Sequence, residues 1–150
     1  MLMQLYLRNG MVYLPTVAQT EAGYHMDIDP VDVVSVTDTK ILQRAIKEAL
    51  SKGNPTIPTP TRAAHPTPVV LKYAKVKSWS AFEKGTSLWK LVEKSGSYQI
   101  KPGRKRPDKG WEDDPTTIET LPSVTTLDEV AKRVLILIQN SSGVAPPNVG

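Results

Sequence analysis

The spacing of apolar positions along the chain changes period several times, and each change marks an element. Residues 2 to 7 ("LMQLYL") and 11 to 14 ("MVYL") flank Asn9-Gly10. Both central residues of a type I′ turn need positive φ, so Asn-Gly between apolar runs predicts a β-hairpin. Pro15 has no N–H for a ladder, and the second strand is expected to end or become an edge there. After the polar turn "QTEAG", the stretch "YHMDI" alternates: Tyr24, Met26 and Ile28 on one face, His25, Asp27 and Asp29 on the other. That is the pattern of a half-buried strand, and "VDVVSV" carries the apolar pattern past Pro30.

The period then lengthens. "TDTKILQRAIKEALSKGN" opens with Thr37 or Asp38 as N-cap and places Ile41, Leu42, Ala45, Ile46, Ala49 and Leu50 on one stripe, ending at Lys52-Gly53. Those are helix start and stop signals. The last helix is expected from Thr125 or Thr126, where Thr125/Asp128 and Thr126/Glu129 both have capping-box spacing. Val130, Ala131, Val134, Leu135 and Ile138 form its core stripe, and Leu137 widens it. Between the helices, β-branched Val69 and Val70 make "VVLKYAKV" read as a strand. "KSWSAFEKGTS" reads as a turn or short helical piece. "LWKLVE" and "SYQI" flank "KSGS" as a second hairpin, and a polar loop, "KPGRKRPDKGWEDDPTT", leads to the short apolar "IETLP".

Strands, helix, strands, helix, joined by hairpins, predict an α+β fold: an antiparallel sheet of five or six strands with two helices packed on one face. At 150 residues and 16.5 kDa, one domain is expected over residues 1 to 139, with a flexible Ser/Gly/Pro-rich tail over 140 to 150. The stretch "GNPTIPTPTRAAHPTPVV", 53 to 70, holds five of the 13 prolines. Residues 1 to 52 offer too little to fold alone, so the stretch reads as a stiff strap within one domain that delivers Val69 and Val70 into the sheet. A polyproline II docking peptide is the other reading of "PTIPTP".

Composition narrows the function classes. The chain has no cysteine, which removes disulfides and thiolate chemistry and suits a reducing cytoplasm. The N-terminus lacks the basic start and long apolar stretch of a signal peptide, and no apolar run is long enough to span a membrane. Net charge is +4 but uneven: residues 72 to 110 hold eleven Lys/Arg against three acids, and residues 111 to 150 hold two against six. A basic middle and an acidic end mark a docking surface for nucleic acid or protein, unless the two blocks pair within the fold.

Candidate chemistry is sparse. His25, Asp27 and Asp29 on one strand face have the donor types for a divalent cation, although the alternation equally predicts a solvated polar face. Glu112, Asp113 and Asp114 in "WEDDP" suit a metal or acid–base role, or else cap a turn and answer the nearby "GRKR". His65 lies between prolines. No nucleophile-elbow, zinc-protease, P-loop or dinucleotide motif occurs. No catalytic residue, metal or cofactor is therefore assigned, and the chain is not expected to be an enzyme. The basic block, with Tyr73, Trp79, Trp89, Tyr98 and Trp111 interleaved, fits phosphate contact and base stacking, which makes a small basic nucleic-acid-binding module the alternative function.

The series "KYAKVKSWSAFEKGTSLWKLVEKSGSYQI", "GWEDDPTTIETLP" and "TTLDEVAKRVLILIQ" resembles small bacterial immunity proteins of contact-dependent inhibition and other polymorphic toxin systems, over roughly residues 69 to 139. In several of these a tryptophan-bearing hairpin precedes an acidic loop, and a C-terminal helix closes the domain. The resemblance implies a cytoplasmic, non-catalytic binding protein that neutralises a cognate toxin domain and needs no membrane. Exposed charge and aromatic anchors would carry the contact, which points to Arg104, Lys105, Arg106, Lys109, Trp111, Glu112, Asp113 and Asp114. Inhibitors of nucleases are often acidic, whereas this chain is basic. Either the toxin has an acidic surface, or the acidic end of this chain makes the contact.

Overall fold

The computed structural model describes residues 1–108, 110–123 and 125–143. Strands β1 (Leu2–Arg8) and β2 (Met11–Thr20) form the first hairpin, with Asn9 and Gly10 both at positive φ (50° and 75°) as the turn requires. β3 (His25–Ser35) pairs antiparallel with β2, and helix α1 (Thr39–Lys52) follows. A two-residue strand, β4 (Thr56–Ile57), is succeeded by short helices α2 (Val70–Ala74) and α3 (Trp79–Glu83). The second hairpin is β5 (Thr86–Lys94) and β6 (Ser97–Lys105), turning on Ser95-Gly96, again both at positive φ. Strands β7 (Trp111–Asp113) and β8 (Glu119–Leu121) pair along β6, and α4 (Leu127–Ser142) closes the fold.

The sheet runs β3-β2-β1-β5-β6-β7, with β4 added to β2 and β8 to β6. All pairings are antiparallel except β2 with β4. The two long helices pack on one face, as expected. Leu42, Ala45, Ile46 and Leu50 of α1 meet Val130, Ala131, Val134, Leu135 and Ile138 of α4 over Leu5, Leu14, Leu91 and Ile100. Burying such side chains contributes about 1.5 to 3 kcal/mol each. Ile41, expected in the α1 stripe, is 51% exposed. Gln139 is buried, and its amide donates to Val36 O (3.1 Å) and Thr39 Oγ1 (3.0 Å), stitching α4 to the start of α1. Asp38 caps α1, and Thr126 with Glu129 forms a capping box on α4. That helix continues through Ser142 to a left-handed Gly143, so residues 140 to 142 of the expected tail are helical, and 144 to 150 lie outside the described residues.

The opposite face carries a second, smaller core. Tyr6, Tyr13, Val31 and Leu88 of the sheet pack against Val70 and Leu71 of α2 and Phe82 of α3. Here two expectations are corrected. "VVLKYAKV" is not a strand: Val70 and Leu71 are buried and Ala74 packs against the same cluster. That i, i+1, i+4 face needs helical spacing, and tertiary packing overrides the β-propensity of the valines. The helix stops at Lys75, whose φ is 58°. Pro15 does not end its strand either. Beyond Tyr13, however, β1 no longer pairs with β2, so Pro15 sits where that side of the strand has no ladder partner, as its missing N–H requires, and the β2–β3 register shifts between Pro15 and Thr16. Asp29 and Pro30 are extra residues on β3 at that point, because Ile28 faces Thr16 and Val31 faces Pro15. A bulge is where a sheet accommodates a proline.

The proline-rich strap is tied down at its start. The Asn54 side chain accepts from Leu2 N and donates to Leu2 O and Val17 O, all at 2.8 Å. It thus fills the sheet position that β1 leaves empty, and β4 continues the row beside Gln19 and Thr20. Thr59 Oγ1 accepts from Ala22 N (2.8 Å). The strap then crosses to the other face and delivers Val70 into α2, not into the sheet.

Candidate partner-binding surface

Six of the eight expected contact residues lie on or at the turn of a hairpin, not in the polar loop the sequence suggested, and Asp114 directly follows it. β6 is long enough that Gly103, Arg104 and Lys105 pair with Asp113, Glu112 and Trp111 of β7. Arg106 N donates to Gly110 O (3.0 Å), closing the turn, and Gly110 N donates to Glu83 Oε2 (3.1 Å), which anchors the turn to α3. Gly103 is favoured by close approach: a Cβ there would sit 3.3 Å from Leu88 O and from Trp111 Cδ1, tight enough that a neighbour would have to shift by a few tenths of an ångström. The absence of a Cβ lets the Trp111 ring cover β6.

The eight candidates divide into three groups. Arg104, Lys105, Arg106 and Glu112 are exposed. Arg104 Nε lies 3.0 Å from Glu112 Oε1, and Arg106 Nε lies 3.3 Å from Asp108 Oδ1. Exposed pairs of this kind stabilise little, so the side chains can exchange partners at small cost. Trp111, Asp113 and Asp114 are half-buried. Asp113 sits 3.0 Å from Lys90 Nζ and 3.8 Å from Lys101 Nζ, so acids of "WEDDP" neutralise part of the basic block. Asp114 accepts from Thr116 N (3.1 Å) and Thr116 Oγ1 (2.7 Å), a turn cap that lowers its pKa below the ordinary carboxylate value. Lys109 lies outside the described residues.

Trp111 belongs to an aromatic cluster. Its ring centroid is 5.9 Å from Trp79, nearly perpendicular, and 6.2 Å from Tyr6. Tyr6 and Tyr13 both meet Phe82 edge-on, at 5.3 and 6.1 Å. Such contacts add about 0.5 to 1.5 kcal/mol each beyond area burial. Trp89 and Tyr98 lie in the helix-side core, and Tyr73 donates its hydroxyl proton to Asp29. The aromatics interleaved with the basic residues are thus engaged within the fold, not laid out as a row of stacking platforms. Below the hairpin, a hollow of about 580 Å³ opens between Leu88, Pro102, Asp114, Ile118 and Leu137.

The strand triad is not assembled either. His25 is exposed, and Asp29 is turned out by the bulge onto Lys72 Nζ (2.6 Å), which lowers its pKa. Asp27 points onto the α2/α3 face, where Oδ2 accepts from Tyr6 Oη (2.6 Å) and Oδ1 from Gln4 Nε2 (3.0 Å). Burial pushes its pKa up to about 6, against the lowering effect of those two bonds. Among the described residues, no group of three or more His, Cys, Asp or Glu is placed to hold a metal ion. No described helix is long and apolar enough to cross a membrane.

No protein-family model matches the chain, and no curated protein matches it. Solved structures do. A Neisseria meningitidis protein of unknown function superposes with a TM-score of 0.64 over 93% of both chains, at 13% identity. A chain of the CdiA-CT/CdiI toxin and immunity complex from Yersinia pseudotuberculosis superposes with a TM-score of 0.61, at 13% identity, over 93% of this chain and 95% of that one. The chain therefore shares its α+β fold, nearly end to end, with a component of a toxin–immunity pair.

Proposed function

We propose that this chain is a non-catalytic immunity protein that binds a cognate toxin domain in the cytoplasm and neutralises it. The observation that carries the reading is the near-complete fold likeness to a chain of the CdiA-CT/CdiI complex. The resemblance seen in the sequence and the exposed charges of the β6–β7 hairpin support it. Arg104, Lys105, Arg106, Lys109 and Glu112 make the contact, with charge complementarity setting on-rate and partner choice. Trp111, Asp113 and Asp114 shape and brace the hairpin from behind.

This reading expects the neighbouring reading frame to encode a large secreted toxin. Mixed with the purified toxin domain, the chain should form a stoichiometric complex. The variant R104A/R106A/E112A should bind about tenfold or more weaker, with a melting temperature within about 2 °C of the parent because exposed side chains carry little stability. Unaltered affinity contradicts the assignment of the hairpin; no complex with the neighbouring toxin contradicts the function.

A further inference from the structure

The face that carries the aromatic cluster also holds a groove that the hairpin does not use. It runs between the first half of β3 and the strap, as two adjoining hollows of about 340 and 280 Å³ that share Met26, Asp27 and residues 66 to 68. Val69 and Lys72 close one end, and His65 and Trp79 close the other. The walls are thus methionine, proline, valine and indole, while the wall contributed by β3 carries the Asp27 carboxylate.

That carboxylate is hydrogen-bonded but not charge-compensated. Its two donors, Tyr6 and Gln4 of β1, are neutral. The other charged or titratable groups around the groove are Asp29 on β3, Lys72 and Tyr73 on α2, and His65 on the strap. Lys72 and Tyr73 are both engaged by Asp29, and His65 Nδ1 lies 3.3 Å from Pro66 O. Among the described residues no Lys or Arg nitrogen makes an ion pair with Asp27. A carboxylate withdrawn from water without a cation is unfavourable, and a cation brought to it regains the lost interaction.

We propose that this groove receives an arginine side chain of the protein partner, with Asp27 as its counter-ion. Each hollow is near the lower limit of ligand-pocket size, which suits one side chain and not a whole peptide segment. Arginine fits the chemistry better than lysine because its weakly hydrated, planar guanidinium stacks on indole while it bonds a carboxylate. Trp79 joins the groove to the hairpin through its edge contact with Trp111, so one partner spans both. The proposal rests on the partner-binding reading, and it gives a chain of net positive charge a discrete place for a positive anchor.

The direct test needs no partner. The full chain is titrated with N-acetyl-arginine methylamide at pH 7.5, and the Met26 methyl and Trp79 indole N–H signals are followed by NMR. A saturable shift is expected in the millimolar to tens-of-millimolar range, a span of roughly 2 to 4 kcal/mol of binding. The neutral citrulline analogue should bind about tenfold weaker, and Asp27→Asn should lose about as much of the arginine affinity. Asparagine keeps the shape and an acceptor for Tyr6, so the variant folds. No saturable shift, no preference over citrulline, or an Asp27→Asn variant that binds equally well overturns the proposal. With the toxin complex in hand, Asp27→Asn should weaken it about tenfold by the same pairing. A complex of unchanged affinity overturns the groove and leaves the neutralisation reading standing.

Discussion

Burial beside β1 lifts the Asp27 carboxyl to about 6, whereas in an unfolded chain it titrates near roughly 3.9. Between those values the folded state holds a proton that the unfolded state has lost. Stability contributed by this group therefore falls as pH rises through that window, and stays lower above it. Asp27→Asn removes the cost of the buried charge. Urea unfolding should show the variant more stable than the parent by about 1 to 3 kcal/mol at pH 8, with the gain largely gone at pH 4. A loss of stability at pH 8, or the same offset at both pH values, contradicts this account of Asp27. The alternation of "YHMDI" marks Asp27 as a polar position of the strand, and its carboxylate meets Tyr6 and Gln4 of β1. The alternation cannot show that a second layer, α2 and α3, covers the face expected to be wet. The signal for that layer was present in Trp79 and Phe82, but a strand pattern reports which side is polar, not what packs over it.

At the scale of elements, the strap is the connection on which the two-layered arrangement depends. It carries the chain from the C-terminus of α1 on one face to α2 on the other, and Asn54 fastens its first turn to both Leu2 and Val17. Asn54→Ala leaves a strand-end N–H and two carbonyls without their partner. The variant should lose about 1 to 3 kcal/mol, and hydrogen exchange should accelerate at Leu2 and over residues 55 to 57 before it does in α1. Uniform acceleration across the sheet would show that Asn54 supports the whole fold and is not a local clip. The hairpins and caps were legible because their signals are local: Asn9-Gly10, Ser95-Gly96, and Thr126 with Glu129. Helix α2 was not, because its valines favour a strand and only contact with Tyr13, Val31 and Phe82 makes helical spacing the better one. Nor was β7, since three residues of "WEDDPTT" carry no periodicity until β6 extends to meet them.

For the molecule as a whole, the two faces of the sheet divide the work. The α1/α4 face is an ordinary apolar core in which the long helices fix the fold. The α2/α3 face is smaller, richer in aromatics, and bordered by the groove at Asp27 and the charged hairpin at Arg104 to Glu112. The candidate site was partly legible: Arg104, Lys105, Arg106 and Glu112 are exposed, whereas Asp113 and Asp114 are half-buried. Pairing of Asp113 with Lys90 and Lys101 was legible only as the option that acidic and basic blocks answer each other. Part of the +8 middle is thereby neutralised inside the fold, so the exposed positive charge is more local than the composition implies.

Neutralisation itself is tested most directly in cells. The toxin domain from the neighbouring frame is induced alone, with this chain, and with the R104A/R106A/E112A variant, and growth is measured. The account predicts that growth stops with the toxin alone, is restored by the parent chain, and is restored less by the variant at equal expression. Growth arrest that persists in the presence of the abundant, folded parent chain would contradict it.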